Sequence, residues 1–140
     1  MIMYSVQNCK HGLEAEFSAK LSNIDYFCKQ VEDYLDANGL EKEKFQVILG
    51  LREILTNAIR HGCAGDSQQQ IRAGISYGSS SISLFAEDPG EGYDWQKMLK
   101  CPPGIYTESG RGLCILQEYF SSLDINEQGN RIVLHKEIAK

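Results

Sequence analysis

Residues 45–62 read FQVILGLREILTNAIRHG, and this stretch decides the fold class. Its apolar residues recur at steps of three and four, which is the spacing of one face of an α-helix. They are Phe45, Ile48, Leu51, Ile54, Leu55, Ala58 and Ile59. The spacing predicts a long helix that reaches Gly62 and buries a single stripe.

A strand pattern and a second helix pattern precede this stretch. Residues 13–21 alternate apolar and polar side chains, as a half-buried strand does, and are predicted to form the first strand. Ser22 or Asn23 is suited to cap a helix that runs to Asn38 and Gly39, where glycine is a common stop signal.

Alternation also indicates a hairpin downstream. Residues 71–77 and 82–85 read as half-buried antiparallel strands, and Gly-Ser-Ser-Ser at residues 78–81 is typical of the tight connection between them. Residues 89–107 contain all three prolines of the chain and show little periodicity. Long loops of this kind inside a domain are commonly functional lids.

The remaining elements complete an α+β fold. Residues 112–120 return to helical spacing, and residues 123–125 and 131–135 are predicted to form a closing pair of strands around Gly129 and Asn130. The order is strand, two helices, two strands, loop, helix, two strands. It predicts a two-layer sandwich in which helices cover one face of a mainly antiparallel sheet.

Length and composition limit the classes of protein. A chain of 140 residues has the size of one domain, so a single domain is expected over residues 1–140. The net charge of −5 and the absence of a basic cluster disfavour nucleic acid as the partner. Five cysteines without a C-x-x-C pair fit reduced thiols, and no apolar stretch reaches the roughly 18 residues that span a bilayer. We therefore expect a cytoplasmic protein without a membrane partner.

Glu53 and Asn57 are the first candidate pair for chemistry. In a helix of about 100° per residue they stack one turn apart, on the side opposite the apolar stripe, so they can act on one ligand. A solvated helix face explains an isolated pair of this kind equally well. Thr56 and Asn57 are poor helix formers inside a helix, a local cost that a functional site would explain.

A glycine-rich turn follows the second strand of the hairpin. It reads Asp88-Pro89-Gly90-Glu91-Gly92. Glycine permits close approach of the backbone to a ligand, and an aspartate at a strand end can accept a hydrogen bond from the amino group of a base. A simple turn is the competing interpretation, because Asp-Pro-Gly is a common turn sequence.

Ser109-Gly110-Arg111-Gly112 stands directly before a predicted helix. Free backbone N–H groups and the positive end of the helix dipole favour an anion such as phosphate at that position. No segment matches the P-loop or the dinucleotide-binding fingerprint. A nucleotide would therefore be bound by another architecture.

The three motifs together resemble the N, G1 and G2 boxes of the superfamily that joins DNA gyrase, heat-shock chaperone, histidine kinase and mismatch-repair ATPases. Residues 51–62 are most similar to the small bacterial anti-sigma-factor serine kinases, and residues 92–95 and 110–113 match their pattern too. The resemblance covers about residues 10–137. It implies the Bergerat-type ATP-binding fold, with an ATP lid at about residues 95–109.

The resemblance also implies roles for the first two motifs. Glu53 would be the general base for a protein serine hydroxyl, or the residue that orients it. Asn57 would help to hold Mg²⁺ together with the phosphates. Asp88 would receive the adenine amino group, while Gly90 and Gly92 let the chain wrap the base and ribose.

In the third motif, Gly110 and Gly112 would bring backbone amides to the phosphates of ATP, and Arg111 would stabilise charge on the γ-phosphate. One position departs from the family pattern. Gly129-Asn130 stands where many relatives carry Gly-Thr. Asn130 is therefore not counted among the predicted site residues.

The activity that the resemblance implies is that of an ATP-dependent protein serine/threonine kinase acting as an anti-sigma factor. Such a kinase holds a sigma factor and phosphorylates an antagonist protein, so that phosphorylation decides which partner is bound. A homodimer is a further family expectation. Two alternatives stay open: an ATP-binding module that sequesters a regulator without kinase activity, and the catalytic domain of a histidine kinase. The chain has no room for the helical dimerisation domain that a histidine kinase needs.

Overall fold

The structure is a computed structural model that describes residues 4–9, 11–64, 66–90, 92 and 116–138. Within these ranges the strands are β1 (Tyr4–Cys9), β2 (Gly12–Ser18), β3 (Gln70–Gly78), β4 (Ser81–Glu87), β5 (Ser122–Ile125) and β6 (Arg131–Glu137). They form one sheet in the order β1-β2-β3-β4-β6-β5. Every neighbouring pair is antiparallel.

Helices cover one face of this sheet. They are α1 (Leu21–Ala37), a 3₁₀ turn (Glu41–Glu43), α2 (Lys44–Asn57) and a π-helical turn (Ala58–Gly62), and residues 116–119 are also helical. Alternate residues of β2, β4 and β6 are buried and join one core cluster with the inner faces of α1 and α2. The predicted α+β two-layer sandwich is therefore confirmed.

Helix α2 contributes the centre of the core. Leu51, Ile54 and Leu55 are fully buried, as the apolar spacing predicts. The first residue of the predicted stripe is different, because Phe45 is 72% exposed and Val47 is buried in its place. The buried stripe of α2 therefore begins at Val47 and not at Phe45.

The N-terminal part contains two strands where one was predicted. The strand predicted over residues 13–21 already ends at Ser18, and α1 begins at Leu21. A preceding strand, β1, pairs antiparallel with β2 and places Tyr4 opposite Phe17, their rings stacked at 5.7 Å between centroids.

The predicted cap of α1 is also wrong. The residue before the helix is Lys20, and it makes no side-chain capping bond. Asn23 lies inside the helix, where its Nδ2 donates to the carbonyl oxygen of Ser18 at 2.9 Å and to Ser18 Oγ at 3.0 Å. The helix starts before the predicted cap, so the Asn23 side chain does not cap it. Its amide instead connects α1 to the end of β2.

Both predicted hairpins are present. Gly78 pairs with Ser81, so the β3–β4 turn is only two residues long. Ser79 and Ser80 take positive φ values of 51° and 65°, which match the twist of a type I′ hairpin turn. Strands β5 and β6 form the closing pair. Residues 112–115 of the predicted third helix and the predicted lid at 95–109 lie outside the described residues.

Two further expectations concern cysteines and membranes. Cys28 and Cys63 are free thiols, and both are buried in the core. In the part of the chain that the structure describes, we find no helix with the length and apolarity needed to cross a membrane.

Candidate functional site

The candidate site lies where the C-terminal end of α2 meets the turns that follow β4 and precede β6. Glu53 and Asn57 are in contact one helical turn apart, as predicted. Asn57 Nδ2 donates to the main-chain oxygen of Glu53 at 2.8 Å and to Glu53 Oε1 at 3.0 Å. The two side chains therefore form one polar unit on α2.

Asn57 is not on a solvated helix face, and this corrects the competing interpretation of the pair. The residue is only 2% exposed, whereas Glu53 is half-buried. Because the Asn57 amide folds back along the helix onto Glu53, it does not extend into solvent as a surface asparagine would.

The hydrogen bonds of Asn57 also determine which way its amide points. Both bonds go to oxygen acceptors, so the NH₂ group faces Glu53 and Oδ1 faces away from it. Within the described residues, no hydrogen bond to Oδ1 is present. A neutral amide oxygen of this kind suits Mg²⁺, which prefers oxygen ligands and usually shares them with substrate phosphates. The residues present therefore fit a magnesium ion bound together with a nucleotide.

The end of the helix widens directly after Asn57. The N–H of Cys63 donates to the carbonyl oxygen of Ala58 at 2.9 Å, a bond between residues five apart. This defines the π-helical turn, where a single α-helix was predicted to continue to Gly62. Such turns are frequent at functional sites, and here the turn brings Gly62 against the carboxyl group of Asp88.

Asp88 is a buried carboxylate at the end of β4. It is 4% exposed, and its Oδ1 accepts the N–H of Gly90 at 2.8 Å. A side chain at Gly62 would overlap the carboxyl group, so only glycine permits this approach. Among the described residues Oδ2 has no hydrogen-bond donor. That oxygen is suited to accept an amino hydrogen from a ligand.

Burial raises the pKa of the Asp88 carboxyl group above its ordinary value. The N–H of Gly90 acts in the opposite direction, and the charge of Glu87 adds to the increase. Next to it, burial raises the pKa of the Cys63 thiol to about 11, with further contributions from the charges of Asp88 and Asp66. Cys63 is therefore a protonated and unreactive thiol at neutral pH.

Gly90 and Gly92 were predicted to let the backbone approach a ligand closely. In the structure the backbone at these glycines lies close to the turn between β5 and β6. Gly92 has φ of +94°, and a side chain on it would overlap the carbonyl group of Gln128. Gln128 Nε2 donates to the carbonyl oxygen of Gly90 at 2.9 Å. The turn after β4 is thus packed on the β5–β6 turn.

Three of the predicted site residues lie outside the described residues. They are Gly110, Arg111 and Gly112. The other five fall into two contacting groups: Glu53 binds Asn57 on α2, and Asp88 binds Gly90 in the turn after β4, which also contains Gly92. Gly62, at the end of the π-helical turn, connects the end of α2 to Asp88.

Two residues at the site, Gly62 and Asn130, were not predicted from the sequence. Gly62 was interpreted only as the end of a helix, and its contact with Asp88 has no local sequence signal. Asn130 was set aside because many relatives carry threonine there. In the structure its Nδ2 donates to the carbonyl oxygen of Asp88 at 3.0 Å.

With this geometry in view, comparison with known proteins defines the family. Residues 17–136 match the family described as the histidine kinase-like ATPase domain. The match spans most of the chain, so the chain belongs to this family, and the resemblance drawn from the three motifs is confirmed. Membership of an ATPase family implies that the chain binds ATP.

Two individual relatives are similar to the chain over nearly its whole length. Both are called anti-sigma F factor, and they come from Clostridium perfringens strain ATCC 13124 and Clostridium perfringens strain 13. Each is 24% identical over 136 residues, which cover 90% of this chain and 96% of the relative.

Proposed function

We propose that this chain is an ATP-dependent protein serine/threonine kinase that acts as an anti-sigma factor and phosphorylates an antagonist protein. The observation that carries the proposal is the polar unit of Glu53 and Asn57. Asn57 Nδ2 donates to one carboxylate oxygen of Glu53, and this contact supports the proposal that a base and a cation ligand act side by side. The similarity to two anti-sigma F factors supports the choice of regulatory system.

In this proposal one domain over residues 1–140 binds ATP between α2 and the turn after β4. Asp88 receives the adenine amino group on Oδ2, which has no donor among the described residues. Gly90 and Gly92 shape the wall beside the base and ribose, and Asn57 holds Mg²⁺ through Oδ1.

The third motif completes the proposed site. Backbone amides of Gly110 and Gly112 hold the phosphates, and Arg111 stabilises charge on the γ-phosphate. The lid at about residues 95–109 covers the nucleotide.

The proposed reaction is an in-line transfer of the γ-phosphoryl group. The serine hydroxyl oxygen of the antagonist forms a bond to the γ-phosphorus, the bond from that phosphorus to the bridging oxygen breaks, and ADP leaves. Glu53 accepts the proton of the serine hydroxyl through the carboxylate oxygen that does not bind Asn57. Mg²⁺, when bound, neutralises charge on the phosphates.

The proposed partners are a sigma factor and its antagonist, and the proposed location is the cytoplasm. A homodimer is part of the same proposal. An ATP-binding module that only sequesters a regulator is the second candidate. It requires Glu53 to have no chemical role, and the contact of Glu53 with the predicted cation ligand speaks against that.

The substitution Glu53→Gln tests the proposed base. Glutamine keeps an oxygen that accepts from Asn57 Nδ2, so the orientation of the amide and the affinity for ATP are expected to be retained. Because an amide is not a base, phosphoryl transfer should fall by at least roughly a hundredfold, within the usual contribution of general base catalysis. The measurement is the rate of serine phosphorylation of a candidate antagonist by mass spectrometry, with ATP affinity determined by calorimetry.

Glu41→Gln is the matched control, because Glu41 is an exposed glutamate in the 3₁₀ turn at the other end of α2. It should leave both the transfer rate and the affinity unchanged. Equal transfer rates for Glu53→Gln and the wild type would remove Glu53 as the base. ATP binding without transfer in the wild type would favour the sequestering module, and phosphohistidine would favour a histidine kinase domain.

A further inference from the structure

We propose that Asn130 and Asn126 are positioning residues that hold Asp88 for recognition of the adenine amino group. The inference rests on the proposed nucleotide site. It assigns to the β5–β6 turn a role in base selectivity, at a position where the sequence departs from the family pattern.

Asn130 holds the main chain of Asp88 from both sides. The N–H of Asp88 donates to the carbonyl oxygen of Asn130 at 2.9 Å, and Asn130 Nδ2 donates to the carbonyl oxygen of Asp88 at 3.0 Å. The last pair of the β4–β6 ladder is Glu87 with Arg131. Asn130 therefore extends this pairing by one residue, to the main chain of Asp88.

Asn126 in turn fixes the amide of Asn130. Its Nδ2 donates to Asn130 Oδ1 at 2.7 Å, so the NH₂ group of Asn130 is left to face Asp88. Its Oδ1 accepts the N–H groups of Gly129, Asn130 and Arg131 at 2.9, 3.0 and 3.2 Å. One asparagine thus sets both the backbone of the turn and the direction of the Asn130 side chain.

The same turn also holds the chain beyond Asp88. Gln128 Nε2 donates to the carbonyl oxygen of Gly90, whose N–H binds Asp88 Oδ1. The turn thus binds the main chain of both Asp88 and Gly90, and the N–H of Gly90 in turn binds the Asp88 carboxyl group. The position of Asp88 Oδ2 is therefore sensitive to small shifts of this turn.

The consequence is specific to one functional group of the base. A correctly placed Oδ2 favours a base that carries an exocyclic amino group over one that does not. ATP has this amino group, and inosine triphosphate has an oxygen in its place. The ratio of the affinity for ATP to the affinity for inosine triphosphate therefore reports on the placement of Asp88. A general loss of stability would weaken the binding of both nucleotides alike.

Asn130→Asp is the test. The carboxylate has nearly the shape of the amide and still accepts from Asn126, but it sets an acceptor against the carbonyl oxygen of Asp88 and pushes that residue away. We expect ATP to bind roughly tenfold more weakly, as for loss of one hydrogen bond to a charged group, and inosine triphosphate to bind nearly as before. Calorimetric titration of the full chain with each nucleotide gives both affinities.

Asn38→Asp is the matched control, since Asn38 Nδ2 donates to the carbonyl oxygen of Tyr34 at 2.8 Å, a bond of the same kind at the end of α1. It should leave the ratio unchanged. Should Asn130→Asp fail to fold, Asn126→Ala carries the same test, because it releases the Asn130 amide and should also lower the ratio.

A wild-type ratio in these variants, or an equal loss for both nucleotides, overturns the positioning role. Failure of the wild type to bind ATP at all overturns the proposed function itself, and the inference with it.

Discussion

Burial of the Asp88 carboxyl group has opposite effects on ligand binding and on the stability of the fold. It is a carboxylate enclosed at the contact of Gly62 and Gly90, with a single N–H donor from the described chain. Burial disfavours its charged form, and this is why its pKa is raised. The same enclosure makes the charged form an effective acceptor for a ligand, because a hydrogen bond is electrostatically stronger in a buried site than in water.

Asp88→Asn should stabilise the protein without nucleotide at neutral pH. The folded state holds the Asp88 proton more tightly than the unfolded state does, so stability falls as the pH rises from the ordinary carboxyl pKa through the raised one. Asparagine removes this loss. The stability of Asp88→Asn relative to the wild type should be greatest above the raised pKa. The difference should disappear below the ordinary carboxyl pKa, where Asp88 is protonated in both the folded and the unfolded state.

Chemical denaturation over a pH series measures this difference. Asp33→Asn is the control, because Asp33 is exposed and pairs with Lys29 one turn away on α1, so little change is expected. A neutral-pH stability of Asp88→Asn below that of the wild type would contradict the account of the buried carboxylate.

Single residues show where sequence reasoning succeeds. The contact of Glu53 with Asn57 follows from helical geometry, because residues four apart share a face. The burial of Asn57 could not be predicted, since a helical pattern does not tell whether a side chain extends outward or folds back along the helix.

At the scale of elements, the site depends on the contact between the end of α2 and the turn after β4. The π-helical turn places the Cα of Gly62 against the Asp88 carboxyl group, and Gly90 packs on the carbonyl oxygen of Gly62. The end of α2 and the turn after β4 can therefore pack this closely only when neither Gly62 nor Gly90 carries a side chain.

Gly62→Ala should separate these elements. The added methyl group overlaps the Asp88 carboxyl group, and overpacking of this kind typically costs about 1–3 kcal/mol of stability. Asp88 moves in consequence, so ATP affinity should fall as well. Thermal unfolding and calorimetric titration measure the two effects.

Gly78→Ala is the control for that substitution. Gly78 ends β3, has no positive φ, and a side chain there meets no atom within 4 Å. It should change neither property appreciably. Wild-type affinity for ATP in Gly62→Ala would show that Asp88 does not need this contact.

Elements with strong periodicity were predictable, and weak ones were not. Helix α2 and the β3–β4 hairpin follow from their apolar spacing and from the short Gly-Ser connection. Strand β1 was missed because Tyr4 and Val6 are only partly buried at the edge of the sheet, and because its pairing with β2 is what makes it a strand.

At the scale of the whole molecule, the antiparallel sheet brings distant segments together. Asp88 meets Gly62, 26 residues earlier, and Asn130, 42 residues later. The order of the motifs was enough to predict the fold family. The support from the β5–β6 turn was not predictable, because it depends on strand order, with β6 placed beside β4.

Titration of the full chain with ATP in the presence of Mg²⁺, for the wild type and for Asp88→Ala, tests the central claim most directly. The account predicts saturable binding of one ATP per wild-type chain and loss of that binding in Asp88→Ala, with the circular dichroism spectrum unchanged. Absence of saturable binding to the wild type, or equal affinity in the two proteins, would contradict it.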